Sequence, residues 1–111
     1  MKKVFVAAAA ILCLGAHAEF KDGNKLYAQM TEGYASNGWF NSIGYITGVV
    51  DSLYGIAVCP PTTATAAQIF DVVKKYMEDY PQFRHHTADR IVGRAVERVW
   101  PCPKKGGGQS L

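Results

Sequence analysis

Four sets of side chains in this 111-residue chain have types and spacings that could do chemistry. The first lies in GYITGVVDSLYG, residues 44–55. On a helix, Gly44, Gly48, Asp51 and Gly55 fall at i, i+4, i+7 and i+11 and share one face. Each glycine costs a helix about 1 kcal/mol relative to alanine. That cost points to a helix-packing motif: another helix backbone or an aromatic ring approaches closely, and Asp51 is partly buried against an arginine or tyrosine donor. As a catalytic acid, Asp51 has no second carboxylate at readable spacing. The second set is His85 and His86. Adjacent histidines do not turn both rings toward one metal, and no third ligand stands at zinc-site spacing. They read as a solvated loop or as a partner contact that would respond to pH.

The third set is Arg90, Arg94 and Arg98, spaced i, i+4 and i+8. With Asp89 and Glu97 beside them they form either a solvated helix face with weak local ion pairs or an interface. The fourth set is the cysteines. Cys13 lies in the leader described below, which leaves Cys59 and Cys102. An even count in an exported small domain implies a disulfide, worth about 4 kcal/mol for a loop of this length. Two free thiols or a metal pair are the alternatives, and two isolated cysteines fall short of a structural zinc site. No nucleophile elbow, metalloprotease helix or glycine-rich phosphate loop is present. The residues point to no cofactor, no metal and no enzyme.

The elements that must position these groups follow from the ends inward. Met1, Lys2 and Lys3 form a basic start, VFVAAAAILCLGA is an apolar core too short to span a bilayer, and Ala16-His17-Ala18 is a small-residue cleavage site. Residues 1–18 thus read as a signal peptide cut before Glu19. Lys2 and Lys3 leave with it, so ten basic side chains face nine acidic ones and nothing favours nucleic acid. What remains is one domain, without a membrane segment, placed outside the cytoplasm.

Helical periodicity runs through that domain. Asp22 or Asn24 caps a first helix through Leu26, Tyr27 and Met30, ended by Gly33 and Ser36-Asn37-Gly38. A second starts near residues 39–42 and runs to about Val58, where Cys59-Pro60-Pro61 stops it. Its apolar side is Ile43, Ile46, Val50, Leu53 and Ala57, widened by Val49 and Ile56. A third follows Thr65 with Ala66, Ile69, Val73, Tyr76 and Tyr80 inward and closes at Pro81. A connector of Gln82, Phe83, Arg84, His85 and His86 leads to a fourth. Thr87 caps it, with Ala88, Ile91, Val92, Ala95, Val96 and Val99 inward. Residues 104–111, rich in glycine and lysine, form a tail. The reading is an all-α domain, a small bundle of about four helices stapled by one disulfide over residues 19–103.

The order GYI-x-GV-x-D from Gly44, Cys59-Pro60, Tyr80-Pro81 and Trp100-Pro101-Cys102 resembles the Rap/Tai family of type VI secretion system immunity proteins. The resemblance covers about residues 23–103. It implies a small helical periplasmic protein, often a homodimer, that binds and blocks a cell-wall amidase effector. Cys59 and Cys102 match the family's disulfide positions, and Gly44, Gly48 and Asp51 match its second-helix motif. Many members carry another cysteine pair, in the first helix and early in the second; Met30 and Ser42 stand in those regions here. Arg84, His85, His86, Arg90 and Arg94 are the candidate effector contacts. A general periplasmic chaperone or stress-binding module is the alternative.

Overall fold

The computed structural model describes residues 20–104. The expected signal peptide, with Cys13 and its cleavage site, lies outside the described residues, as does the tail beyond Lys104. Four helices make up the domain: α1 (Gly23–Met30), α2 (Asn37–Leu53), α3 (Ala66–Asp79) and α4 (Ala88–Val99), with a short 3-10 turn at Pro81–Phe83. Among the described residues there is no strand, and isolated bridges pair Asp22 with Thr87 and Val58 with Pro101.

Three of these four helices start where a side chain satisfies free backbone N–H groups. The Asp22 carboxylate accepts from Lys25 N at 2.9 Å and opens α1. The Ser36 hydroxyl accepts from Trp39 N at 3.1 Å at the start of α2. Thr65 and Gln68 close a reciprocal capping box on α3, at 3.1 and 2.8 Å. At α4 the expectation is corrected: Thr87 occupies the cap position but makes no side-chain cap bond. The N-terminal segment takes over that task, because Ala88 N donates to Lys21 O at 2.9 Å.

The core is one cluster drawn from all four helices, with Leu26, Ile46, Val73, Val92 and Val96 fully buried. Burying an aliphatic side chain of this size contributes about 1.5–3 kcal/mol, and this set holds the bundle together. Met30 and Ser42 are both buried. The Ser42 hydroxyl donates to Trp39 O at 2.8 Å, so the core's one buried polar side chain among the described residues is satisfied.

Several inward assignments differ from the expectation. Ala66 is exposed, Val99 is half exposed, and Ile56 is largely exposed. The last follows from where α2 ends. It stops at Leu53, short of Val58, because Leu53 O accepts from the N–H groups of Ile56, Ala57 and Val58 in a tight turn. Gly55 sits in that turn at φ +80°, a left-handed conformation that suits glycine. The turn sends Val58 into the core and lets Cys59 N donate to Trp100 O at 2.8 Å. Cys59 and Cys102 are joined there by a disulfide closing 43 residues, so the turn after α2 is stapled to the end of α4.

Candidate binding face

Among the described residues, the helix-packing motif expected at Gly44, Gly48, Asp51 and Gly55 is not formed. All four residues are exposed, and apart from the adjoining backbone no described atom lies within 4 Å of a Cβ placed on Gly44, Gly48 or Gly55. Asp51 stands at the rim of a shallow concavity with Tyr54, Pro60 and Ile69, and is not buried against a donor. Gly55 lies beyond the helix altogether. The reason is helical geometry. Ile46 and Val50 own the inward side, and each step of two residues turns about 200° around the axis, which sends residues 44 and 48 outward. The close approach is made at Gly23 instead. A Cβ there would sit 2.6 Å from Arg84 O and would also strike the Ile91 side chain.

That contact belongs to the connector between α3 and α4. Pro81 lacks an N–H and disfavours helix in Tyr80 before it, so α3 ends and the 3-10 turn begins. Backbone bonds then knot the segment: Phe83 N to Tyr80 O at 3.1 Å, and His86 N to Phe83 O at 3.0 Å. Gly23 N donates to His86 O at 2.9 Å, which ties the knot to α1. Arg84 Nε donates to Met77 O at 2.9 Å and its guanidinium lies 3.9 Å above the Tyr27 ring. Arg84 is thereby a structural tie, with its head engaged inside the molecule.

The other four candidates are brought together. His85 is exposed and His86 half-buried, their rings nearly perpendicular with centroids 4.4 Å apart. His86, Arg90 and Arg94 line a cleft of about 130 Å³ with Tyr76, Phe83 and Ile91. The aromatic walls continue as a ladder, with centroid separations of 5.6 Å for Phe83–His86, 6.0 Å for Tyr80–Phe83 and 4.9 Å for Tyr76–Tyr80. Arg98 leaves the arginine row for this ladder. Its Nη1 donates to Tyr80 Oη at 2.9 Å, with its guanidinium 5.2 Å from the Tyr80 ring.

Electrostatics in the cleft are one-sided. Partial burial, followed by the positive charges of His85, Arg90 and Arg94, pushes His86 below the usual imidazole range. In the N-terminal segment, Lys21 Nζ donates to Gln29 Oε1 at 2.7 Å and Asn41 Oδ1 at 2.8 Å, and lies 4.5 Å over the Tyr45 ring. Desolvation and neighbouring Lys25 lower the Lys21 ammonium, while desolvation and then Asp89 raise the Tyr45 phenol. This network fixes the N-terminal segment that caps α4. Sequence reasoning missed it, and it missed Tyr76, Phe83 and Ile91 as cleft walls. The aromatic spacing of residues 76, 80 and 83 beside the arginine row was the available signal. Among the described residues, no three of His, Cys, Asp and Glu cluster to hold a metal ion.

The model of the Rap1a immunity proteins matches residues 22–102, a span that takes in all four helices and both cysteines of the disulfide. The chain belongs to that family. No curated protein matches it. Family membership makes this bundle an immunity protein, one that binds a cognate toxin effector and restrains it. Its surface features are then to be read as those of a binder, where shape and charge decide the partner.

Proposed function

We propose that this member of the Rap1a immunity family is exported to the periplasm through its leader and there blocks a type VI peptidoglycan amidase, occluding the enzyme's cleft without doing chemistry itself. The observation that carries the choice of face is the convergence of His85, His86, Arg90 and Arg94 on one rigid end of the bundle, over aromatic walls. Arginine and aromatic side chains are enriched where interfaces concentrate their binding energy. The backbone behind them is already ordered by the connector's hydrogen bonds, so little further ordering is needed on association. No described helix is long and apolar enough to cross a membrane. A homodimer belongs to the same reading.

The test is a pull-down of tagged residues 19–111 from the periplasm of the native host, with mass spectrometry. One stoichiometric cell-wall hydrolase is the expected outcome, and a broad set of unrelated clients would overturn it. With that partner in hand, alanine at His85, His86, Arg90 and Arg94 together should weaken binding by about 2 kcal/mol or more while leaving the helical spectrum unchanged. Light scattering of the free protein reports the dimer.

A further inference from the structure

We infer that the cleft between α3 and the start of α4 is a binding site for a single carboxylate, presented as an acidic side chain by the partner. Its lining has a definite polarity: Arg90, Arg94 and His86 supply the donors, and Tyr76, Phe83 and Ile91 form apolar walls. Among the described residues, no carboxylate lines it. The acids on α4, Asp89 and Glu97, line a neighbouring concavity with Leu53 and Ala57, and Arg90 and Arg94 stand on the ridge between the two, lining both. The ion pairs among the described residues are Lys74–Glu78 and Lys75–Asp79, both on α3, and neither engages Arg90 or Arg94.

Arg90 and Arg94 stand one helical turn apart, a like-charge pair that is unfavourable on a bare helix. His86 beside them is lowered by desolvation first, then by His85 and by the same two arginines. A carboxylate in the cleft would offset the like-charge repulsion among these groups. Guanidinium forks bind carboxylates with two parallel hydrogen bonds, a geometry an ammonium cannot offer. Size narrows the ligand further. Pockets for whole small molecules occupy roughly 300–1,000 Å³. A cleft of about 130 Å³ matches the size of one side chain and falls short of such a pocket. The apolar walls suit the methylene stem of a glutamate, with its head at the arginines.

The source of the carboxylate rests on the effector reading above, whereas the site itself is tested without any effector. The probe is N-acetylglutamate α-amide, with N-acetylglutamine α-amide as its neutral isostere, added to labelled residues 19–111 and followed by NMR. Saturable shifts at the His86 ring and the Ile91 methyls are expected with the acid. They should be absent with the glutamine analogue and lost in the double variant Arg90→Gln/Arg94→Gln. Both positions are exposed, so the melting temperature of that variant should stay near the parent's and serves as the folding control. Shifts that fail to saturate, that match those of the neutral analogue, or that persist in the double variant overturn the site. If the acid binds as expected but a purified effector binds parent and double variant equally, the carboxylate does not come from the effector and that part of the inference falls.

Discussion

The two ends of α4 are secured by opposite means. At its C-terminal end a covalent bond between Cys59 and Cys102 fastens the turn after α2, helped by the Cys59 N to Trp100 O hydrogen bond. At its N-terminal end nothing is covalent. Ala88 N on Lys21 O, Gly23 N on His86 O and the Arg84 guanidinium over Tyr27 do the work, against a glycine that permits close contact. A disulfide acts chiefly by restricting the unfolded chain, and its geometric demand is confined to the two cysteines it joins. The hydrogen-bonded end depends on many correct distances at once. The candidate binding face grows from that second end, where rigid placement of side chains matters.

The largest expected effect breaks the covalent end. Changing Cys59 and Cys102 together to serine should cost about 4 kcal/mol in denaturant unfolding, before any compensation in the unfolded state. Next comes the hydrogen-bonded end. Gly23→Ala places a methyl against Arg84 O and Ile91, and should destabilise by about 1–3 kcal/mol. A loss as small as that of an ordinary exposed helix substitution would show that the connector gives way, and the contrast between the ends would fail. Arg84→Ala removes the bond to Met77 O and the stacking on Tyr27, with an expected cost of about 1–2 kcal/mol.

A substitution away from both ends calibrates these losses. Gly48→Ala adds a methyl in open space on a helix interior and should stabilise by about 0.5–1 kcal/mol, seen as a higher melting temperature. A fall, accompanied by a change in mass by light scattering, would reveal a second copy covering that face. The smallest effect is in pH. The unfolded His86 titrates near 6.5 and the folded one lower, so the unfolded chain binds more protons between the two values. Stability should be fully present above 6.5 and decline as pH falls through the folded value. The causes are desolvation of the ring first, then the charges of His85 on the connector and of Arg90 and Arg94 on α4. His86→Gln should flatten that part of the profile, measured by melting temperature against pH.

The sequence by itself determined the four helices and most of their limits. Three- and four-residue apolar steps, the caps at Asp22 and Thr65 and the stop at Pro81 are local preferences of a few residues, and such preferences survive into the fold. It also held the disulfide, through an even cysteine count, and it placed His85, His86, Arg90 and Arg94 close along the chain. The outward aim of Gly44 and Gly48 was legible too, since Ile46 and Val50 already claimed the opposite side of the same helix. Tertiary structure alone decided the rest. Lys21 O meets Ala88 N, Gly23 meets Arg84, and Arg84 spends its charge on Met77 O and Tyr27, all between residues far apart in sequence or on separate elements. The early end of α2 is instead a local event, since Leu53 O collects the N–H groups of Ile56, Ala57 and Val58 across a turn that Gly55 permits. A helix follows from bonds between near neighbours, whereas the partner of a given polar group depends on which distant segment packing brings beside it.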